Sequence, residues 1–80
     1  MSIRYTLRLE TNGAEVWKRW TGDQREAADL LATALVDLGR DDTAAGRSVM
    51  AYLRTPEPGV DGMSIHSRDF SSTLTLTIKQ

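Results

Sequence analysis

The chain contains no cysteine and a single histidine, and these two shortages exclude several kinds of site. Without thiols there can be no disulfide scaffold, no zinc ribbon and no cysteine nucleophile. One histidine cannot supply a metal site that needs several histidine ligands. The chemistry available to this sequence is therefore restricted to hydroxyls, carboxylates, basic groups and aromatic rings.

Long hydrophobic runs are also missing. No apolar stretch approaches the roughly 18 residues that a membrane-spanning helix needs. Residues 2–10 alternate polar and apolar side chains and lack the continuous apolar core of a secretory signal. We therefore expect a soluble, cytoplasmic protein that does not insert into a membrane.

An excess of either charge is the third missing feature. Ten Lys and Arg residues oppose eleven Asp and Glu residues, which gives a net charge of -1 and disfavours a strongly basic nucleic-acid binder. The two signs are nevertheless unevenly placed along the chain. Residues 1–21 carry four basic and two acidic side chains, whereas residues 23–38 carry one basic and four acidic side chains.

The remaining composition is that of a small globular protein. Eighty residues with 40% hydrophobic and 26% charged side chains predict a single α+β domain over residues 1–80. A chain of this size buries only about 60% of the surface that its unfolded form exposes. Association with a second copy or with another protein is a common way to stabilise so small a core.

The first 21 residues predict a β-hairpin. Polar and apolar side chains alternate over residues 2–10, and a second extended segment is predicted over residues 14–21. Asn12 and Gly13 lie between these two segments. Both central positions of a type I′ turn need a positive φ, which Asn-Gly adopts readily. A two-residue loop keeps one face apolar apart from Lys18, whereas a three-residue loop mixes the faces. The predicted pairs are Leu9–Val16, Leu7–Lys18 and Tyr5–Trp20 on one face, and Glu10–Glu15, Arg8–Trp17, Thr6–Arg19 and Arg4–Thr21 on the other.

An amphipathic helix is predicted over residues 23–38, with Gly39 ending it. Its apolar stripe would cover the sheet. We interpret the stripe as core, and not as a groove for a partner, because no second helix long enough to cover the sheet is predicted. The stripe consists of Ala27, Leu30, Leu31, Ala34, Leu35 and Leu38.

The second half of the chain predicts three shorter strands. Residues 40–47 have the composition of a loop, and residues 48–54 fit either a strand or a helix, with β-branched and aromatic content favouring a strand. Residues 63–67 and 73–79 alternate as strands do. The predicted order is β-β-α-β-β-β, with one amphipathic helix packed on one face of a mostly antiparallel sheet.

Two clusters could in principle carry chemistry. Ser64, His66, Ser67 and Asp69 supply the residue types of a hydrolase triad, but no nucleophile elbow or glycine-rich oxyanion hole accompanies them. The acidic residues Asp41, Asp42, Glu57 and Asp61 match no calcium-loop spacing. We therefore predict no enzymatic activity, no catalytic residue, no metal site and no cofactor.

The outer face of the hairpin is the first candidate interaction surface. The predicted register places Arg4, Arg8, Arg19 and Trp17 on it, and exposed aromatics among arginines are typical of interfaces. Three interpretations remain open. Arg8 could stack on Trp17 and only stabilise the hairpin, the patch could bind a protein or a second copy, or it could bind nucleic acid through phosphates and base stacking.

The final strand is the second candidate surface. Its outer row of Thr73, Thr75 and Thr77 is uncharged until Lys79. At a sheet edge, such a strand would lack the charges and prolines that discourage strand addition. An antiparallel homodimer or capture of a peptide strand would then be favourable.

These observations predict a small, non-enzymatic interaction or regulatory module that acts through an open sheet face. Its partner would be a second copy or a larger protein. The alternative is a nucleic-acid-binding protein that uses the Arg and Trp patch of the hairpin. A small hydrolase or isomerase would require His66 to lie in a pocket with a catalytic partner.

Overall fold

The computed structural model describes residues 3–79, in which two helices pack on one face of a four-stranded antiparallel sheet. The small α+β fold predicted from the sequence is confirmed, but the predicted order is wrong in one element, since the third predicted strand is a helix. The elements are β1 (Arg4–Thr11), β2 (Ala14–Thr21), α1 (Gln24–Leu38), α2 (Ala44–Arg54), β3 (Gly62–His66) and β4 (Ser72–Lys79).

The strands lie in the order β2-β1-β4-β3, and every neighbouring pair is antiparallel. The final strand β4 is therefore internal, and its backbone is paired with β1 on one side and β3 on the other. The edge position on which strand addition through Thr73, Thr75 and Thr77 depends is not the one observed. With both sides of β4 occupied, neither an antiparallel dimer nor a captured peptide can extend the sheet through this strand.

The β1–β2 hairpin forms as predicted around Asn12 and Gly13, whose φ angles are 53° and 82°. Its register nevertheless shifts between Leu9 and Glu10. Glu10 lies opposite Glu15 as predicted, but Leu9 lies opposite Trp17, so Val16 is an extra residue in β2. A β-bulge of this kind reverses the faces of every later side chain in the strand. The predicted pairs from Leu9 to Arg4 are therefore wrong.

Helix α1 matches its predicted range, and its two ends show why. The Asp23 carboxylate accepts a hydrogen bond from the Arg25 N–H at 2.9 Å, which caps the first turn. At the other end, Gly39 adopts a φ of 75° and its N–H bonds back to carbonyls of the last turn.

Helix α2 occupies residues 44–47 of the loop predicted over residues 40–47, and all of the strand predicted over residues 48–54. Residues 40–43 are non-helical, as predicted. The Thr43 hydroxyl accepts a hydrogen bond from the Gly46 N–H at 3.0 Å and donates one to the Arg40 carbonyl at 2.7 Å. This cap starts the helix. Val49 and Leu53 face the core four residues apart, whereas Ala51, which a strand would bury with them, is exposed. Burial of a helical face therefore outweighs the β-propensity of the segment.

The hydrophobic core fills the space between the sheet and the two helices, so it uses one face of the sheet only. The α1 stripe belongs to it, with Leu30 partly buried. The Tyr52 hydroxyl donates a hydrogen bond to the Val60 carbonyl at 2.7 Å and so attaches the loop before β3 to α2. The buried set is Tyr5, Leu7, Ala27, Leu31, Ala34, Leu35, Leu38, Val49, Tyr52, Leu53, Ile65, Leu74, Leu76 and Ile78.

Gly46 lies in the first turn of α2, and we predict that Gly46→Ala destabilises the protein. Helix propensity alone would favour alanine by about 1 kcal/mol. A Cβ at this position would, however, overlap the backbone carbonyl oxygen of Arg40. We expect the steric term to dominate and the free energy of unfolding to fall by roughly 1–3 kcal/mol in urea denaturation.

Gly22→Ala is the matched control for this substitution. A Cβ there would meet nothing closer than the Ile3 carbonyl oxygen at 3.5 Å, which is an ordinary contact. The control should leave stability nearly unchanged. Equal or greater stability of Gly46→Ala would contradict the close packing of α2 against the Arg40 carbonyl.

Candidate functional site

The sheet face opposite the helices, named the open face here, has no other described element packed on it. Cross-strand pairing brings its side chains into rows, and they are polar apart from one aromatic ring. Its residues are Arg4, Thr6, Arg8 and Glu10 of β1, Glu15, Lys18 and Trp20 of β2, Ser64 and His66 of β3, and Thr73, Thr75, Thr77 and Lys79 of β4.

The predicted interaction residues divide between the two faces of the sheet. Arg4, Arg8 and the three threonines lie on the open face, but Trp17 and Arg19 do not, because the bulge at Val16 turns them toward the helices. Trp17 lies opposite Leu9 and packs against the hydrophobic core. The Arg19 guanidinium lies 5.5 Å from the centre of the Trp17 ring. The predicted cross-strand pair of Arg8 and Trp17 is therefore wrong.

Trp20 occupies the open face instead. It lies opposite Thr6, and 62% of its surface is exposed. The Arg4 guanidinium carbon lies 4.5 Å from the centre of its ring, a cation–π geometry that holds the arginine over the indole. The face thus keeps the arginine–tryptophan pairing expected from the sequence, but with different residues.

One signal in the sequence could have identified Trp20. A regular two-residue hairpin places Lys18 on the apolar face opposite Leu7, which forces a charged group toward the core. The bulge removes that conflict, since Lys18 lies opposite Arg8 on the open face. Val16, the extra residue of the bulge, is 56% exposed. The bulge therefore leaves a valine in solvent but keeps the lysine out of the core.

The charges of the open face are segregated along the strands. At the hairpin end, Arg8 Nε lies 3.1 Å from a Glu15 carboxylate oxygen and 3.5 Å from one of Glu10. By contrast, none of Arg4, Lys18 and Lys79 forms an ion pair with the residues that the structure describes. Three cations of the open face are therefore available to bind an anion.

These cations surround a shallow depression beside Trp20. Its volume is about 500 Å³, and hydroxyl groups alternate with the basic side chains on its surface. The pairing places Arg4 directly opposite Lys79, Arg8 opposite Lys18, and Thr6 opposite both Trp20 and Thr77. Trp20 consequently lies between two rows of cations. The lining residues are Arg4, Thr6, Arg8, Lys18, Trp20, Thr75, Thr77 and Lys79.

The turn between β3 and β4 contains the residues of the supposed triad. Asp69 Oδ1 accepts hydrogen bonds from the Ser71 N–H at 3.0 Å and from the hydroxyls of Ser71 and Ser67 at 2.7 Å each. These donors, led by Ser71, lower the pKa of Asp69 to about 2. The carboxylate therefore acts as the centre of a tight turn, which holds Phe70 at a φ of 61° with 76% of its surface exposed.

His66 is not joined to this carboxylate. Its Nδ1 lies 3.0 Å from the Thr73 hydroxyl, and its ring lies 5.8 Å from that of Phe70. Ser64 shares a hydrogen bond of 3.2 Å with Thr75. Among residues 3–79, no hydrogen bond connects His66 to Ser64, Ser67 or Asp69, so the chain of contacts that activates a serine nucleophile is not assembled.

Two further features are absent from the described part of the chain. No group of three or more His, Asp or Glu side chains in residues 3–79 is placed to hold a metal ion. Neither described helix is both long and apolar enough to cross a lipid bilayer.

The bulge makes a testable difference between the two tryptophans. Trp17→Phe leaves only Trp20, whose emission should be red-shifted and strongly quenched by acrylamide because the ring is in solvent. Trp20→Phe leaves only Trp17, which should emit at shorter wavelength and resist quenching. The opposite assignment would restore the regular register and contradict the bulge.

Asp69 makes a pH-dependent contribution to stability. Its pKa is lowered from 3.8 to about 2, so the contribution is complete above pH 4 and is lost as the pH falls through about 2. We expect Asp69→Ala to lower the melting temperature at pH 7. Between pH 4 and pH 2 the melting temperatures of the variant and of the unmodified protein should converge. Asp29→Ala, which removes an exposed carboxylate of α1, should have little effect at pH 7. If the difference in melting temperature between Asp69→Ala and the unmodified protein stays constant from pH 7 to pH 2, the hydrogen-bond network around this carboxylate is contradicted.

Comparison of the chain with protein-family models, with curated proteins and with solved structures gives no match. The function is consequently argued from the geometry and charge of the open face.

Proposed function

We propose that this protein is a small, non-enzymatic binding module of the cytoplasm that acts through its open face and binds a negatively charged partner. The observation that carries the proposal is Trp20, which is 62% exposed beside Arg4 and close to Lys18. Tryptophan and arginine are the residues that contribute most often to the binding energy of interfaces.

The position of this ring in the fold supports the proposal. Trp20 is carried by β2, and β1 beside it is paired along its length with both neighbours. A backbone that strand pairing already orders loses little further freedom on binding, which lowers the entropic cost of an interface. Arg4 is already held over the indole before any partner arrives. The surface is therefore preorganised.

The distribution of charge defines the sign of the partner. Arg4, Lys18 and Lys79 project from the open face without ion pairs among the described residues. The acidic residues of α1 lie on the other side of the sheet, at Glu26, Asp29 and Asp37. An anion is attracted to the open face and repelled by α1, whereas α2 carries only the basic residues Arg47 and Arg54 and does not repel it.

Self-association is the second candidate function, and the separation of charge along the open face favours it. Glu10 and Glu15 lie at one end, and Arg4 and Lys79 lie at the other. A twofold axis across the strands would bring opposite charges together. Size exclusion with light scattering at micromolar concentration separates the candidates: a monomer of 8.9 kDa fits the first, and a dimer that Trp20→Ala disrupts fits the second.

Retention on a heparin column tests the proposed function. A surface of evenly mixed charge with a net of -1 should not be retained at neutral pH, whereas a segregated basic face should. We expect the protein to bind at low salt and to elute as salt is added. The variant Lys18→Glu, Lys79→Glu should flow through.

The matched control is Arg25→Glu, Arg54→Glu, which makes the same change of net charge on the two helices. It should still be retained. Loss of retention in both variants would assign binding to overall charge, and absence of retention in the unmodified protein would overturn the proposal.

A further inference from the structure

We infer that the partner of the open face is single-stranded nucleic acid, with a base stacked on Trp20 and the backbone phosphates bound by Arg4, Lys18 and Lys79. The inference rests on the proposed function and names its ligand class. It depends on three observations, which are the spacing of cations around the ring, the polarity of the face and its flatness.

The spacing of the cations fits a polyanion that passes over the ring. Arg4 and Lys79 form one row, Trp20 lies in the next, and Lys18 and Arg8 form the row after it. Rows on one face are two residues apart, so the two cationic rows are separated by roughly 13 Å. A base on the indole would therefore have a cationic row on either side to receive the flanking phosphates.

The ring itself is accessible for stacking. Arg4 lies over one side of the indole at 4.5 Å, and the 62% exposure of Trp20 leaves ring surface open to a base. Every base has a π-face, so stacking on a single aromatic tolerates any sequence. The guanidinium of Arg4 is placed to contact both the ring and an adjacent phosphate.

The polarity of the face favours nucleic acid over an acidic protein segment. Threonine hydroxyls and basic groups surround Trp20, and lysine is depleted in the buried centres of protein–protein interfaces. Nucleic-acid interfaces are more polar and more positively charged. Thr6, Thr75 and Thr77 supply hydroxyl donors beside the cations, and such groups commonly contact phosphate and sugar oxygens.

The flatness of the face favours a single strand over a duplex. In the described chain no helix and no hairpin projects from the open face to enter a groove, since both helices lie on the other side. Stacking on Trp20 also needs a base that is unpaired.

Fluorescence titration of Trp17→Phe with single-stranded DNA and RNA of about ten nucleotides tests the inference, since Trp20 is then the reporter. We expect quenching of Trp20 on binding. Three phosphate contacts predict a slope of about -2 for the logarithm of the association constant against the logarithm of salt concentration, which is roughly a fifteenfold loss of affinity between 50 and 200 mM salt.

Variants at the stacking position distinguish stacking from charge. With a labelled oligonucleotide and anisotropy as the readout, Trp20→Ala should weaken binding roughly tenfold, and Trp20→Phe should retain most of the affinity. Trp17→Phe, at the other tryptophan, should bind as the unmodified protein does. Equal binding by Trp20→Ala would overturn the stacking role.

Two competitor ligands separate this inference from the proposed function. Duplex DNA of equal length that binds as tightly as the single strand would overturn the inference. Binding of poly-L-glutamate but not of oligonucleotides would also overturn it, while leaving an anion-binding module in place. If heparin, poly-L-glutamate and oligonucleotides all fail to bind, both proposals are wrong.

Discussion

The single extra residue in β2 determines what the sheet offers on each side. Without the bulge at Val16, Lys18 would face the core and Trp17 would face solvent. With it, Trp17 packs against Leu9 and the helices, while Lys18 and Trp20 join Arg4 and Arg8 on the open face. The core and the candidate site therefore depend on the same local irregularity: the shift that removes a buried charge also assembles the cationic surface around an exposed ring.

The second constraint is that both helices lie on one side of the sheet. A sheet of four strands covered on one face only must keep the other face compatible with water or with a partner. Rows of threonine and charged side chains meet that requirement over most of the open face. Trp20 does not meet it, because burying the apolar surface of an exposed indole lowers the free energy. The arginine held over it reduces this cost in the unbound protein and leaves the ring ready for a ligand.

The sequence was sufficient for elements whose signals are local. Asn12-Gly13 requires positive φ at both positions, so the hairpin was predictable, and Gly39 with the periodic leucines predicted α1. Helix α2 was not predictable in this way, because the positions of Val49 and Leu53 fit both a strand and a helix. The choice between them depends on the surface against which these side chains pack. Whether β4 lies at an edge could not be predicted for a related reason: strand order is decided by long-range packing, about which Thr73, Thr75 and Thr77 carry no information.

The net charge of -1 has a different meaning once the fold is known. It argued against nucleic acid because long-range attraction scales with total charge. The fold places the acidic α1 on one side of the sheet and the cations Arg4, Lys18 and Lys79 on the other, so the sum conceals separate regions of opposite charge. Beyond a Debye length of about 8 Å a ligand is largely screened from both, and at contact it experiences only the surface it touches. A weakly acidic protein can in this way bind an anion, provided that binding relies on contact and stacking more than on attraction from a distance.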